Sequence, residues 1–373
     1  MTRTLAIATF LLTACIAPQP VLRPVTGDDV TIFVHGYRGS FLATESGEIA
    51  WITISQGLST GDRSLALPFE GQRDFPKYGP LHTTGPLTRL TAIPGILEED
   101  PYASWMDWAK DGLPGFTIFA YDWRQDVRAS GDQLCAFIEG LGLGPKKRVN
   151  IVAHSMGGLV TLHCLRSGSD AVRSAVKKVV FAGTPFRGSP GAWDDLHLGT
   201  KSQSNTRLMD REALLTFSST WQLLPPRADY FVDAQGSPTV VPALDPAAWQ
   251  TRKWGLFSES LPGAYVEQLR ARVDAHAGSW AVLADVESPT PTWKTMVIVG
   301  KGRPTINAWR VRNDGSFDFD QPLRGDGDGT VPSASTHPPR PIVATTVETT
   351  AEHSEMLRRS EVQSVITEFF RAP

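Results

Sequence analysis

The chain has 373 residues, of which 41% are hydrophobic and 20% are charged. This composition is typical of a globular protein with one large domain carrying insertions, or with two domains. The formal net charge is -3, and no extended run of Lys and Arg is present. Because phosphate binding requires clustered positive charge, these properties argue against nucleic acid as a partner.

Residues 1–14 have the pattern of an export signal. Arg3 gives the segment a positive start, and residues 5–12 form an apolar run that is too short to span a bilayer as a helix. The run leads into Leu-Thr-Ala-Cys at 12–15, which resembles the lipobox of bacterial lipoproteins, where the signal is cut before the cysteine. The alternative is an ordinary signal followed by an incidental cysteine.

The lipobox resemblance implies that Cys15 is acylated, which would give a stable membrane anchor. Residues 15–28 contain three prolines and would form a tether between the anchor and the folded protein. We therefore expect the protein in the bacterial cell envelope, attached to a membrane surface by lipid. By resemblance to the sorting rules of enterobacterial lipoproteins, the absence of aspartate at position 16 favours the outer membrane.

Apolar segments alternate with helical patterns along much of the remaining chain. This alternation predicts an α/β fold whose central sheet is mostly parallel and has helices on both faces. Ligands of such sheets bind beyond the carboxyl ends of the strands. The predicted strands are 30–34, 115–120, 148–153, 177–182, 294–299 and 342–347.

A serine lies where one of these strands changes into a helix. Residues 153–158 read A-H-S-M-G-G, so Ser155 has small neighbours two positions before it and two and three positions after it. This spacing predicts a nucleophile elbow, in which a strained turn exposes the serine hydroxyl. The Met156 N–H would form half of an oxyanion hole. The alternative is a tight turn with a buried serine.

The loop after strand 30–34 begins with His35 and Gly36. In serine hydrolases of this type that loop supplies the second oxyanion N–H, and Tyr37 is our candidate for it. His35 itself is expected to be a packed turn histidine, because it precedes Ser155 and the base of an α/β-hydrolase follows the serine and the acid.

The acid and the base are expected near the C-terminus. The G-D-G-D-G stretch at 325–329 offers Asp326 and Asp328 as acids, and His353 comes just before a terminal helix. His337 is the other histidine after these acids, but two prolines follow it, so His353 is the better candidate. The two aspartates could instead bind calcium, although the glutamate that closes a calcium loop is absent.

Two long insertions interrupt the pattern. Residues 41–95 lack a sustained period but contain many apolar side chains, which predicts a lid. Residues 186–291 contain five of the eleven tryptophans and predict a cap suited to a fatty acyl chain. Our candidates for the lining of the substrate pocket in this cap are Trp221, Leu223 and Leu224.

Asp122, Trp123 and Arg124 follow the second predicted strand. We expect Asp122 and Arg124 to form a structural ion pair near the site. Trp123 is expected on the floor of the acyl pocket. In the alternative interpretation, the whole tetrad at 121–124 lies on the floor of that pocket.

Cys135 and Cys164 lie on predicted helices, in a compartment that permits disulfides. They could pair or remain two separate buried thiols. We expect separate thiols, because the sequence gives no distance between them. No metal-type cysteine spacing is present. Neither a metal nor a cofactor is expected.

Several motifs together resemble the lecithin:cholesterol acyltransferase and lysosomal phospholipase A2 family, over about 30–370. The resemblance implies an α/β-hydrolase core with a lid and a cap, a triad of Ser155, Asp328 and His353, and oxyanion groups at Tyr37 and Met156. Departures are the His-Gly at 35–36, where mammalian members have Pro-Gly, and the lack of a cysteine pair in the lid. The motifs are Y-D-W-R at 121–124, A-H-S-M-G-G at 153–158, G-T-P-F-R-G-S at 183–189, D-G-D-G-T-V at 326–331 and E-H at 352–353.

The expected function is therefore hydrolysis of a lipid ester through an acyl-enzyme. One alternative is transfer of the acyl group to an alcohol, and another is an inactive lipoprotein that binds a lipid or a partner. The expected organisation is a signal (1–14), a tether (15–28), a first core part (29–185, with the lid at 41–95), a cap (186–291) and a second core part (292–373).

Overall fold

The computed structural model describes residues 28–373 except 60–62, 75, 89, 94–96, 100, 144–146, 203, 228 and 287–290, with the backbone alone at 90–93 and 97–99. The predicted signal, Cys15 and nearly all of the tether lie outside the described residues. Within the described ranges, no helix is long and apolar enough to cross a bilayer.

The strands include all six segments expected from the sequence, with ends shifted by no more than two residues. In chain order they are β1 (Val30–Val34), β2 (Ser40–Thr44), β3 (Ile49–Trp51), β4 (Leu81–Pro86), β5 (Leu90–Ile93), β6 (Leu97–Glu99), β7 (Thr117–Phe119), β8 (Val149–His154), β9 (Val176–Ala182), β10 (Thr200–Ser202), β11 (Asn205–Met209), β12 (Phe231–Val232), β13 (Lys294–Gly300), β14 (Arg303–Val311), β15 (Phe317–Gly327) and β16 (Ala344–Thr349).

The helices lie between and around these strands. They are α1 (Ile54–Leu58), α2 (Ala103–Gly112), α3 (Val127–Gly140), α4 (Met156–Ser167), α5 (Asp170–Ala175), α6 (Ala192–Leu198), α7 (Arg211–Thr216), α8 (Ser218–Gln222), α9 (Pro246–Thr251), α10 (Ala264–Leu283) and α11 (Ser360–Arg371), with short 3₁₀ helices at Gly255–Ser258, Ser333–Thr336 and His353–Arg358.

The central sheet contains six strands in the order β16-β13-β9-β8-β1-β7. Every neighbouring pair in it is parallel. Alternate residues of one strand enter different cores: Ile151 packs with α3 and α4, whereas Val152 packs with α2 and α11. Strands covered on both faces need apolar residues at nearly every position, which explains their unbroken hydrophobic runs. The expected α/β-hydrolase fold is confirmed.

The insertion at 41–95 has more regular structure than its sequence suggests. It contains helix α1, a sheet with the order β3-β2-β4 and the β5-β6 pair, although β6 ends at Glu99. Leu42 and Ala50 are fully buried in the core that lies on the α3 and α4 side of the central sheet. The small sheet is therefore packed as part of the folded body.

A hairpin from outside the expected boundary of 186–291 packs as part of the cap. Strands β14 and β15 pair antiparallel, and β14 also pairs with the cap strand β12. Trp193 of α6 packs against Phe317 of β15, with 5.1 Å between ring centroids. Residues 303–327, expected within the second core part, thus complete the cap.

A disulfide joins Cys135 of α3 to Cys164 of α4, with 5.4 Å between the Cα atoms. Our expectation of two separate thiols is therefore wrong. The two helices pack side by side on one face of the sheet, so residues 29 positions apart come within bonding reach.

Candidate active site

Ser155 occupies the turn between β8 and α4. Its φ is 56° and its ψ is -130°, a strained conformation for a residue with a side chain. Its own N–H donates to the Ala182 carbonyl at 2.8 Å. A Cβ added at Gly157 would lie 2.4 Å from the His35 oxygen, and one at Gly158 would lie 2.0 Å from Thr184 Oγ1. The small residues in the motif are therefore required by close packing.

His353 lies between Ser155 and Asp328. Its Nε2 is 2.8 Å from Ser155 Oγ, and its Nδ1 is 2.7 Å from Asp328 Oδ2. A carboxylate only accepts hydrogen bonds, so Nδ1 carries the hydrogen and Nε2 accepts from the serine hydroxyl. The structure thus brings together three residues that are far apart in the chain.

Asp328 is 1% exposed. Its other oxygen, Oδ1, accepts from the N–H groups of Thr330 and Val331 at 2.9 and 2.7 Å. Burial opposes its charge, but His353 and the two N–H donors outweigh that effect and hold the pKa of Asp328 below its ordinary value. The carboxylate is therefore ionised and oriented toward the imidazole.

The other candidates for acid and base lie elsewhere. Asp326 accepts from the Gly302 N–H at 2.6 Å and from Ser333, and His337 is exposed. Across the described residues, no group of three or more His, Cys, Asp or Glu side chains could hold a metal ion. Both oxygens of Asp328 are already engaged by protein groups, which argues against the calcium alternative.

The two oxyanion candidates flank Ser155. Met156 begins α4, and the loop that carries Tyr37 approaches so closely that a Cβ at Gly36 would lie 2.8 Å from the Ser155 Cβ. Neither the Tyr37 N–H nor the Met156 N–H donates to another described residue. The Tyr37 hydroxyl is 2.7 Å from Thr220 Oγ1, which ties this loop to α8 of the cap.

His35 is fully buried, and its ring nitrogens lie within hydrogen-bond distance of the Gly36 oxygen and the Tyr121 N–H. The ring stacks on Tyr121 at 4.3 Å, and Nε2 accepts from the Tyr121 N–H at 3.2 Å. Burial lowers the pKa of His35 to about 4, so the ring is neutral near pH 7. It is a packed residue that fixes the start of the loop.

A cavity of about 340 Å³ opens beside Ser155 and His353. Its wall combines apolar side chains with an ion pair between Arg38 and Asp195 at 3.1 Å. Among the predicted pocket residues, Leu223 lines it. The lining consists of Tyr37, Arg38, Ser155, Pro185, Ser189, Gly191, Ala192, Asp195, Thr220, Leu223, Ile306, Gly329, Thr330, Val331 and His353.

The structure corrects three of our pocket assignments. Trp123, Trp221 and Leu224 are fully buried and do not line this cavity. Trp123 packs edge-on against the Tyr37 ring, with 5.1 Å between centroids, and Trp221 packs against Trp249. Large aromatic side chains supply the core behind the pocket, where they bury the most apolar area.

Asp122 and Arg124 form an ion pair, with 2.7 Å between Oδ2 and Nη2. The Arg124 Nη1 also donates to the Leu65 carbonyl at 2.9 Å. The pair therefore holds the 41–95 insertion against the end of β7, and neither residue lines the cavity.

Arg38 and Asp195 were not identified from the sequence. Arg38 directly follows the oxyanion candidate Tyr37, and this place in the loop after β1 was the signal that the sequence offered. In the structure its φ is positive, at 61°. Asp195 lies in α6, in a part of the cap where the sequence carries no motif. Its position beside Ser155 depends on the tertiary packing of the cap.

A six-stranded parallel sheet with a serine on the turn after β8 defines the α/β-hydrolase class. The chain in the Tle4-Tli4 complex has the same fold, with a TM-score of 0.53, 14% identity and coverage of 92% of this chain and 98% of that one. Bacillus licheniformis lipase BlEst2 in its mature form gives a TM-score of 0.42 at 14% identity, covering 94% and 95% of the two chains.

Residues 114–251 match the family model of lecithin:cholesterol acyltransferase. Lecithin-cholesterol acyltransferase-like 4 of Arabidopsis thaliana is 34% identical over 76 residues, which cover 20% of this chain and 14% of that protein. Both matches support the resemblance to the lecithin:cholesterol acyltransferase-like family that the motifs indicate.

A longer match is the uncharacterized protein YJR098C of Saccharomyces cerevisiae, with 26% identity over 221 residues. It covers 58% of this chain and 31% of the yeast protein. The chain thus spans less than a third of the length of either curated relative.

Proposed function

We propose that the protein hydrolyses lipid esters through an acyl-enzyme. The observation that carries this proposal is the hydrogen-bonded chain from Ser155 through His353 to Asp328, with distances of 2.8 and 2.7 Å. Such an arrangement activates a hydroxyl that is otherwise a weak nucleophile.

In the first step the His353 Nε2 takes the Ser155 proton while the oxygen attacks the ester carbonyl carbon. Asp328 keeps the ring oriented and stabilises the imidazolium that forms. The oxyanion is bound by the N–H groups of Tyr37 and Met156. When the intermediate collapses, His353 gives its proton to the leaving alcohol, and water then releases the acid by the same steps.

A lipid ester is the substrate class that fits both the family and the cavity. Apolar side chains of Leu223, Ile306 and Val331 line the space beside Ser155, and the volume of about 340 Å³ is at the lower end of small-molecule pockets. The ion pair of Arg38 and Asp195 gives the same cavity a polar wall.

Acyl transfer to an alcohol is the second candidate, because both reactions share the acyl-enzyme. Transfer requires that water be kept from the intermediate. The insertion at 41–95 and the cap were both expected to cover the site. None of the described residues of the insertion lines the cavity, whereas Ala192, Asp195 and Leu223 of the cap do. The sequence identifies no acceptor alcohol, so hydrolysis remains the first candidate.

Replacing Ser155 by alanine tests the nucleophile. We expect a loss of p-nitrophenyl butyrate hydrolysis by about four orders of magnitude or more, with an unchanged circular dichroism spectrum. A fluorophosphonate probe should label the wild type and leave Ser155→Ala unlabelled. Absence of labelling in the wild type would favour the inactive binding lipoprotein, and full activity of the variant would exclude Ser155 as the nucleophile.

The acyl acceptor is tested with phosphatidylcholine vesicles, with and without a long-chain alcohol. Free fatty acid as the product in both samples is expected for hydrolysis. An alkyl ester that forms at the expense of fatty acid would favour the transferase.

A further inference from the structure

Two buried side chains outside the triad connect the loop of Tyr37 with the loop of His353. His154 directly precedes Ser155 and is 5% exposed, and Tyr102 directly precedes α2 and is 6% exposed. The rings of His154 and His353 lie 4.8 Å apart between centroids. Neither His154 nor Tyr102 lines the cavity.

The hydrogen bonds of His154 have a defined direction. Its Nε2 is 2.9 Å from the His353 carbonyl oxygen, which can only accept, so Nε2 carries the hydrogen. Its Nδ1 then accepts from the Tyr102 hydroxyl at 2.8 Å. The Tyr102 oxygen in turn accepts from the Gly36 N–H at 3.1 Å. One chain of bonds therefore runs from the residue before Tyr37 to the main chain of His353.

The donor and acceptor roles in the hydrogen bonds of His154 do not change near pH 7. Burial, with a further contribution from His353, lowers the pKa of His154 to about 3. Burial also raises the pKa of Tyr102, so the phenol keeps its proton. This series of hydrogen bonds therefore stays intact when His353 accepts the Ser155 proton and releases it again.

The hydrogen bond from His154 to the His353 carbonyl adds to two hydrogen bonds that His353 makes with Asp328. One of these comes from the ring and the other from the main-chain N–H, at 3.0 Å. The Gly36 contact orients the segment immediately before the Tyr37 N–H. We propose that Tyr102 and His154 are positioning residues that hold the catalytic base and one oxyanion N–H in a fixed relation to Ser155. The inference rests on the proposed hydrolytic function.

Tyr102→Phe removes one hydroxyl from this chain and leaves the ring. We expect kcat for p-nitrophenyl butyrate to fall about ten-fold or more, because small misplacements of reacting groups are costly, while KM changes by less than about two-fold. The matched control is Tyr230→Phe, since Tyr230 is 3% exposed and its hydroxyl has no partner among the described residues. It should keep the wild-type kcat.

His154→Leu and the double variant test whether the two residues act as one unit. If they do, the double variant should have a kcat no lower than that of the single variant with the larger loss, because the effects of coupled residues do not add. Losses that multiply, or a wild-type kcat in Tyr102→Phe, would overturn the proposal. Should His154→Leu fail to fold, the comparison of Tyr102→Phe with Tyr230→Phe decides.

Failure of this inference is distinct from failure of the proposed function. If Ser155→Ala is inactive and the wild type reacts with a fluorophosphonate, the hydrolase assignment stands even when Tyr102→Phe is fully active.

Discussion

At Gly157 the first turn of α4 passes against the main chain that ends β1. An added Cβ would lie 2.4 Å from the His35 oxygen and 2.5 Å from the Val34 oxygen, and neither main-chain atom can move freely. We expect Gly157→Ala to lower the free energy of unfolding by about 1–3 kcal/mol or more through overpacking. Urea unfolding measures the change.

The matched control is Gly140→Ala, at the end of α3. An added Cβ there meets nothing within 4 Å. The change should raise the free energy of unfolding by about 0.5–1 kcal/mol, because alanine has less conformational freedom to lose. Equal effects of the two substitutions would contradict the packing argument.

Asp194, at the start of α6, gives a prediction for pH. Burial, together with the neighbouring Asp195, raises the pKa of Asp194 from 3.8 to about 6. The folded state therefore binds the proton more tightly than the unfolded state, and its stability falls as the pH rises from about 4 to 6.

Asp194→Asn removes this ionisation and keeps the oxygen that accepts from the Asp195 N–H. The Tm of the variant relative to the wild type should rise from pH 4 to pH 7 and then stay level. A Tm difference that is independent of pH would show that Asp194 titrates normally.

Residues with a local signature were identifiable in the sequence. Ser155 and its small neighbours follow from the strand-to-helix corner, and the order of serine, acid and histidine points to His353. Trp123 and Trp221 were misassigned because an apolar residue near a site can face either the pocket or the core behind it. Only tertiary packing separates these two environments.

Among the elements, α3 and α4 are joined by the bridge between Cys135 and Cys164. For a separation of 29 residues, chain entropy gives a contribution of about 3–4 kcal/mol to the free energy of unfolding. We expect Cys135→Ser to lose about this amount. The test is thermal unfolding with and without reductant in a Cys15→Ser background, so that only these two cysteines remain.

In that background, reductant should lower the Tm of the parent and leave Cys135→Ser unchanged. Two free thiols in the denatured parent without reductant would show that the bridge does not form.

The buried strands of the central sheet were the most predictable elements, because their apolar runs are dictated by helices on both faces. The β14–β15 hairpin was missed, since its charged and glycine-rich sequence reads as a loop. Its cap position depends on pairing with β12, which is about 70 residues earlier in the chain. Long-range pairing of this kind leaves little local signal.

At the scale of the whole molecule, we propose that Cys15 carries a lipid anchor, on the basis of its lipobox. The wild type should remain in the membrane fraction after an alkaline wash, and Cys15→Ser should be released, because the acyl chains provide the attachment. Ser155→Ala is the control and should partition as the wild type does. Release of the wild type would contradict the proposal.

The central sheet has two ends, and the chain uses them differently. The chain enters β1 at Val30, at the amino end of the parallel strands. Ser155 follows the carboxyl end of β8, about 20 Å away along the strand direction. A support coupled directly to Asp28 would therefore lie at the end of the sheet opposite to Ser155. For immobilisation on a bead, this geometry leaves the entrance facing the medium. Under the proposed anchor at Cys15, lipid esters of the same bilayer would reach Ser155 when the body turns on the predicted tether, residues 15–28.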